Sequence, residues 1–443
     1  MLLHVFRGGA RISWAIVQLI CDYWPMVWRA VALFAFVAAV YGVISELATA
    51  GGLISPARPS RCRCPSWSRN MSDSLAPIRP AIDAHVVGRR MTGNETYVVN
   101  VANALAKRPD VQPVAYLAGG VDWPQPGGPE TRQLSWRSRF LRIPVELPAR
   151  ARHDHCDLLH VQYVAPPIAG LPVVTAIHDV SFEDVPGLFP RWTELRLKMT
   201  VRQSARRSSV VITISEFTRS RIAHHYHLDP ERIVVTPLGV GEQWHPVARE
   251  DALARLAGLS LPDSFVLAVG NLHPRKNIAR LVRAIAAARQ AGAGDLHVVL
   301  AGQRSWRAAE VDRAIEEVGG GAWVRFLGYV DTESLVALHS CARVVAYPSL
   351  YEGFGLPVVE ALACGAVVVA SNTTSIPEVA GDAAILVDPT DVAALAVAIG
   401  TAAADDRVRA NLRQAALLQA ARFTWDSCAE LTMSAYRQAL GPA

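Results

Sequence analysis

Two stretches carry residue types that could grip an anion and break a bond to it. The first is Tyr347–Gly365, Y-P-S-L-Y-E-G-F-G-L-P-V-V-E-A-L-A-C-G. Pro357 suits a first helical turn, where its missing N–H is harmless, and Gly365 suits the helix end. Glycines ahead of a helix let backbone N–H groups approach an anion closely, and the helix dipole adds to the attraction. Gly353, Phe354 and Gly355 therefore read as the start of a diphosphate cradle. Glu352 and Glu360 bracket it, with seven residues between them. Glu360, one turn inside the helix, could accept hydrogen bonds from the vicinal hydroxyls of a ribose. Glu352, in the loop, stands nearer any sugar beyond the phosphates.

The second stretch is Val269–Asn277, V-G-N-L-H-P-R-K-N. A strand delivers the chain to Gly270, and a helix follows Asn277. Arg275 and Lys276 can then face the same diphosphate, binding it and stabilising the charge that a departing nucleoside diphosphate acquires. Two cations at a helix start oppose that helix's own dipole. A local cost without a local return favours a functional role.

The elements that must position these stretches come as alternating strands and helices from Ile82 onward, the pattern of parallel sheets covered on both faces. Strands are expected at 111–117, 157–162, 173–177, 210–214 and 233–237, with helices at 97–107 and 191–208. A second series runs through 265–269, 297–300, 324–327, 344–347 and 367–370. The fold class is α/β, two doubly wound Rossmann-like domains facing across a cleft. The expected organisation is an extension over 1–70, a first domain over 76–247, a second over 262–424, and a final helix over 425–443 crossing back to the first. Open sheets of this kind bind ligands at the carboxyl ends of their strands.

A chain of 443 residues suits two such domains. Its net charge of +5 resides in residues 1–70, which hold seven arginines against Asp22 and Glu46. The balanced remainder excludes a general nucleic-acid surface. Seven scattered cysteines argue for reduced thiols in a cytosol-facing protein, at the cytoplasmic face of a membrane if it is attached to one. His153-Asp154-His155-Cys156-Asp157 offers ligand types without a second cluster at zinc spacing, so it reads as a solvated turn and no metal is expected. No Asp-x-Asp or phosphate-loop lysine motif occurs, and Gly353–Gly355 lacks the third glycine of a dinucleotide site.

The apolar run Ala30–Ile44 is interrupted by Ser45 and Glu46, whereas a bilayer-spanning helix needs about 20 apolar residues. With the linker-like 55–70 it reads either as a membrane segment or as sequence upstream of a natural start near Met71. The helix at 191–208 carries six basic residues against Glu194. It is open to two readings, a solvated face or a peripheral contact with an anionic membrane.

From about residue 80 to 437 the chain resembles the glycosyltransferase family 4 enzymes, retaining GT-B transferases that include many mannosyl- and glucosyltransferases. The resemblance rests on the two stretches above, on F-L-G-Y-V at 326–330 and on S-I-P-E-V-A-G-D-A-A-I-L-V-D-P at 375–389. It implies transfer of a hexose from a nucleotide diphosphate sugar to a glycan or lipid-linked acceptor, with no cofactor and no metal. Glu352 would lie by the donor sugar, Glu360 by the ribose, and Arg275 and Lys276 on the diphosphate. Backbone groups at Gly355 and Leu356 would touch phosphate, and those around Val330 would read the base. Thr92–Tyr97, with Gly93, resembles the loop that approaches the phosphates. His178, in A-I-H-D after a strand, matches an active-site histidine that touches the transferred sugar, and Ser215 is a candidate helix cap. The alternatives are a sugar-nucleotide epimerase of the same fold and a non-catalytic nucleotide-sugar-binding protein.

Overall fold

The structure, a computed structural model, describes residues 77–89, 92–136, 141–304 and 309–441. The apolar and linker stretches of the first seventy residues lie outside them. Among the described residues no helix is long and apolar enough to cross a membrane.

The first sheet contains seven parallel strands: β1 (Pro80–Asp83), β2 (Val114–Ala118), β3 (Glu130–Leu134), β4 (Leu158–Gln162), β5 (Val173–Ala176), β6 (Val210–Thr213) and β7 (Ile233–Val235). Their spatial order is β3-β2-β1-β4-β5-β6-β7. The second sheet contains β8 (Phe265–Val269), β9 (His297–Ala301), β10 (Val324–Gly328), β11 (Val344–Tyr347), β12 (Val368–Ser371) and β13 (Ala384–Val387), ordered β10-β9-β8-β11-β12-β13. Each order reverses once, between β1 and β4 and between β8 and β11. Neighbouring connections leave in opposite directions there and open a crevice at the strand ends. The interior strands are mostly Val, Ile, Leu and Ala and are buried along their whole length, as strands covered on both faces must be.

Seven helices matter for the site: α1 (Thr92–Ala106), α2 (Leu147–His153), α3 (Arg191–Arg207), α4 (Glu216–Tyr226), α5 (Ile278–Gln290), α6 (Leu356–Ala363) and α7 (Trp425–Leu440). Helix α7 packs against α1 and against β4 to β7 of the first sheet. Its Cys428, Met433 and Tyr436 join one apolar core with Val98 and Leu105 of α1 and with Phe354 and Val358 of the second half. Both sheets therefore share a continuous interior.

Three local expectations need correction. Thr92–Tyr97 is not a loop, because α1 begins at Thr92, so Gly93 lies in a helical first turn. Neither the edge strand β13 of the second sheet nor strand β3 of the first was foreseen; β3 shows why. Its sequence E-T-R-Q-L buries only Leu134, and an edge strand with one neighbour keeps little of the apolar signal. The segment after α2 is more than a solvated turn. Tyr116 Oη donates to Asp154 Oδ2 at 2.8 Å, and Cys156 is buried beside it.

Candidate active site at the strand ends

The charged part of the site sits at the switch point of the second sheet. After β8 the chain turns at Gly270, whose φ of +132° suits glycine. A Cβ on Gly302, after β9, would meet the Gly270 carbonyl oxygen at 2.1 Å, so this crossing is sealed backbone to backbone. The short turn Pro274–Lys276 follows, and Asn277 then adopts φ 60° before α5. Asn277 is held by hydrogen bonds from its amide to Pro348 O at 3.1 Å and Pro389 O at 2.6 Å. That anchor fixes the two cations before it.

Lys276 Nζ donates to Glu352 Oε1 at 2.7 Å and also to the Tyr347 hydroxyl at the end of β11. Arg275 Nη1 lies 3.6 Å from Glu352 Oε2 and 3.8 Å from Asp179 Oδ2 of the first half. Burial alone would raise the Glu352 pKa, but Lys276 and then Arg275 hold it at about 2. The same burial pulls the Lys276 pKa down, against the opposing pull of Glu352. Glu360, inside α6, is pushed up to about 8 by burial, which Lys276 only partly offsets. At neutral pH the site thus holds Glu352 ionised and Glu360 largely protonated, so Glu360 is ready to donate a hydrogen bond as well as accept one.

The loop between β11 and α6 is secured from within its own half. Thr374 Oγ1 accepts from Glu352 N at 3.2 Å, and Ser375 Oγ donates to Glu352 O at 2.9 Å and Phe354 O at 3.0 Å. Gly355 caps α6 at φ 107°, and a Cβ there would strike Ile376 Cδ1 at 2.6 Å. Gly365, at φ 67°, closes the helix.

The first half contributes His178, just after β5. It is buried, with its Nε2 3.0 Å from Gln162 Oε1 and its ring edge-on to Tyr97 at 4.5 Å. Burial lowers its pKa to about 4, so it is neutral at pH 7. Behind it His160 bridges two tyrosines, its Nδ1 2.7 Å from Tyr436 Oη of α7 and its Nε2 3.1 Å from Tyr97 Oη. Burial, reinforced by nearby His178, lowers the His160 pKa to about 3.

The two halves meet at this site. Ser215 caps α4 by accepting from Thr218 N, and its Oγ donates to Gly353 O at 2.7 Å. A Cβ on Gly353 would lie 2.1 Å from the His178 carbonyl oxygen, which no substituent could tolerate without displacement. Tyr351 Oη donates to Asp184 Oδ2 at 2.8 Å. The Glu378 carboxylate accepts from Glu216 N at 2.9 Å and Phe217 N at 2.6 Å, at the amino end of α4.

The structure therefore brings Arg275, Lys276, Glu352, Gly353 and His178 together, with Gly270, Gly355 and Glu360 adjoining. Phe354 departs from expectation. Its ring is buried edge-on to Phe423 at 5.6 Å and is closed to a ligand, leaving only its backbone. Gly353 departs too, since the approach that demands glycine is to the other half's backbone. Leu356 is half-buried in the first turn of α6, and Gly93 has open space around it. Val330 packs on the core after β10, two strands from β8. Sequence reasoning missed the roles of Tyr351, Thr374, Ser375 and Glu378. The last two lie in the S-I-P-E-V stretch, whose serine and glutamate were the available signal.

Two facing doubly wound sheets with a paired cation–carboxylate cluster at one switch point and a histidine opposite define a GT-B glycosyltransferase. The models of two known families agree. "Glycosyl transferases group 1" matches residues 256–419, and "Glycosyltransferase Family 4" matches residues 91–243. The O-antigen chain mannosyltransferase B of Escherichia coli is 35% identical over 265 residues, 60% of this chain and 70% of that one. The chain belongs to glycosyltransferase family 4. Among solved structures, sucrose-phosphate synthase from Thermosynechococcus elongatus shares the fold with a TM-score of 0.68 at 23% identity, over 82% of this chain and 98% of that one. Anabaena HepE in complex with UDP does so at 0.64 and 20% identity, over 81% and 98%.

Proposed function

We propose that this glycosyltransferase moves a hexose, of mannose type, from a nucleotide diphosphate sugar to a glycan or lipid-linked acceptor in polysaccharide or glycolipid synthesis, retaining the anomeric configuration. The observation that carries the reading is the 2.7 Å contact of Lys276 with Glu352, with Arg275 beside them, at the switch point where α6 begins. Mannose as the sugar is supported by the relative's printed activity, and the nucleotide diphosphate by the cations and by the neighbour solved with UDP.

In this reading Arg275 and Lys276 hold the diphosphate and stabilise the charge it gains as its bond to the anomeric carbon breaks. Glu360 hydrogen-bonds the ribose. His178, neutral at the opposite wall, offers the sugar a hydrogen bond without adding charge. The carboxylate nearest the cations is already neutralised by them, which makes it a poor nucleophile. Front-side attack is therefore favoured, the leaving phosphate oxygen taking the acceptor's proton. No protein metal enters these steps.

The test is release of nucleoside diphosphate by the full chain from a panel of GDP- and UDP-sugars, with and without oligosaccharide and lipid-linked acceptors. Acceptor-dependent release, with an α-linked product from an α-linked donor by NMR, is expected. Conversion of the donor sugar without any acceptor would replace transfer by epimerisation. Donor binding without turnover under any acceptor would leave a binding protein.

A further inference from the structure

Tyr351 belongs to the second half by sequence and to the first by its surroundings. Its side chain is buried. Its hydroxyl donates to Asp184 Oδ2 at 2.8 Å, and its ring stands edge-on to Phe217 of α4 at 5.6 Å. The loop of one half is thus keyed into the other immediately before Glu352.

Asp184 is equipped to receive that key. Arg221 and His225, one turn apart on α4, share a helix face and close on Asp184 from behind. Arg221 Nε donates at 2.9 Å to Oδ1 and 3.0 Å to Oδ2, Arg221 Nη2 also donates to Oδ1, and His225 Nε2 stands 2.7 Å from Oδ1. Burial would raise the Asp184 pKa, but the bonds from Arg221, His225 and Tyr351 hold it below the ordinary range. Burial, and then Asp184, push the Tyr351 phenol up, so it stays a donor. A hydrogen bond to an ionised acceptor is of the stronger kind.

From Asp184 back to His178 the chain is braced. Asp179 Oδ1 accepts from Ser181 N at 3.0 Å and from Ser181 Oγ at 2.8 Å. Val180 and Phe182 are buried in a core shared with Ile222 and Tyr226 of α4. Asp184 therefore moves with His178, and Tyr351 moves with Glu352. Their mutual bond joins the two sides of the groove.

We propose that Asp184 is a positioning residue for transfer: through Tyr351 it sets the spacing between His178 and the Glu352–Lys276 pair, and so the fit of both sides around the donor sugar. This rests on the transferase reading above. In that reading Arg275 and Lys276, both of the second half, hold the diphosphate, so nucleotide affinity is independent of the spacing. The sugar's contact with His178 is not. Turnover and nucleotide affinity must then part company, which general structural support would not produce.

The test compares full-chain D184N, Y351F and D184N/Y351F with wild type. Calorimetry gives the Kd for GDP and for UDP, and the best donor and acceptor of the panel give kcat. Hydrogen exchange is followed in peptides covering 178–185 and 350–354. Each single variant should lose about tenfold in kcat, the low end for a hydrogen bond to a charged group, because Ser215 still holds Gly353 O across the groove. The double variant should be no slower than D184N, nucleotide Kd should be unchanged, and both peptides should exchange faster together. Wild-type kcat and exchange in Y351F overturn the proposal, and Y351F alone decides should D184N fail to fold. A double variant showing the product of the single losses also overturns it, since Asp184 would then act by a path that bypasses Tyr351. Nucleotide affinity falling in step with kcat and melting temperature makes Asp184 a structural support instead. A wild type that binds nucleotide and transfers nothing withdraws the transferase reading. Exchange rising in both peptides then still supports the coupling of the loops, and exchange confined to one peptide overturns it.

Discussion

The two halves bring different electrostatics to one groove. At the end of the second sheet, Lys276, Arg275 and Glu352 are all ionised and mutually paired, and their charge survives burial because each has a partner. On the first half's side Asp179 faces Arg275 at 3.8 Å, while the neighbouring His178 and, behind it, His160 have no carboxylate pairing and are kept neutral by burial. The cations can meet a charged group, and the neutral His178 can touch an uncharged one such as a sugar. Charge that is compensated within the protein can be redirected to a ligand at the cost of re-pairing alone, whereas a neutral histidine offers direction without attraction.

The comparison breaks most readily at Lys276. Lys276→Ala should lower turnover on the order of 10²–10³, measured as nucleoside diphosphate release with the best donor of the panel. An enzyme as fast as wild type would show that the charged wall is structural. Next in size is Gly353→Ala. A Cβ placed 2.1 Å from the His178 carbonyl oxygen must push the walls apart, and a loss of about 1–3 kcal/mol in thermal unfolding is expected. Gly93→Ala is the control. Nothing lies within 4 Å of a Cβ there, and alanine inside α1 should be neutral or stabilise by up to about 1 kcal/mol.

Glu360 sharpens the contrast through pH. Its folded-state pKa of about 8 exceeds the ordinary 4.5, so the stability it contributes is complete below 4.5 and is lost as pH rises to about 8. Glu360→Gln should therefore gain on wild type as pH rises from 4.5 to about 8, by about 1–2 kcal/mol at pH 8 after allowing for the solvent that reaches this half-buried group. Urea titrations at pH 5 and pH 8 that show the same difference would remove the argument. Smallest is Glu378→Gln, which weakens the carboxylate at the amino end of α4. About 0.5 kcal/mol, diminished by salt, is expected by the same method.

The charged wall was legible in the sequence because its residues lie in two short stretches, one whose glycines and proline mark a loop entering a helix and one whose two cations oppose the dipole of the helix they precede. The alternation of strands was legible from apolar runs, and strand β3 escaped because its exposed edge is polar. The neutral wall was hardly legible. A histidine's protonation depends on what surrounds it, and Tyr97, His160 and Tyr436 come from three separate parts of the chain. The contacts of Tyr351, Ser215 and Glu378 across the groove were hidden for the same reason. They pair residues more than a hundred positions apart, which no local pattern reports.

Tyr351, Glu352 and Gly353 are consecutive, yet they reach alternately to opposite banks: to Asp184, to Lys276 and to Ser215. This short ribbon is stitched to both sides. Any swing that widens the groove pulls on the very peptide bearing the carboxylate, so admitting a donor and loosening its anchoring charges are geared into one movement.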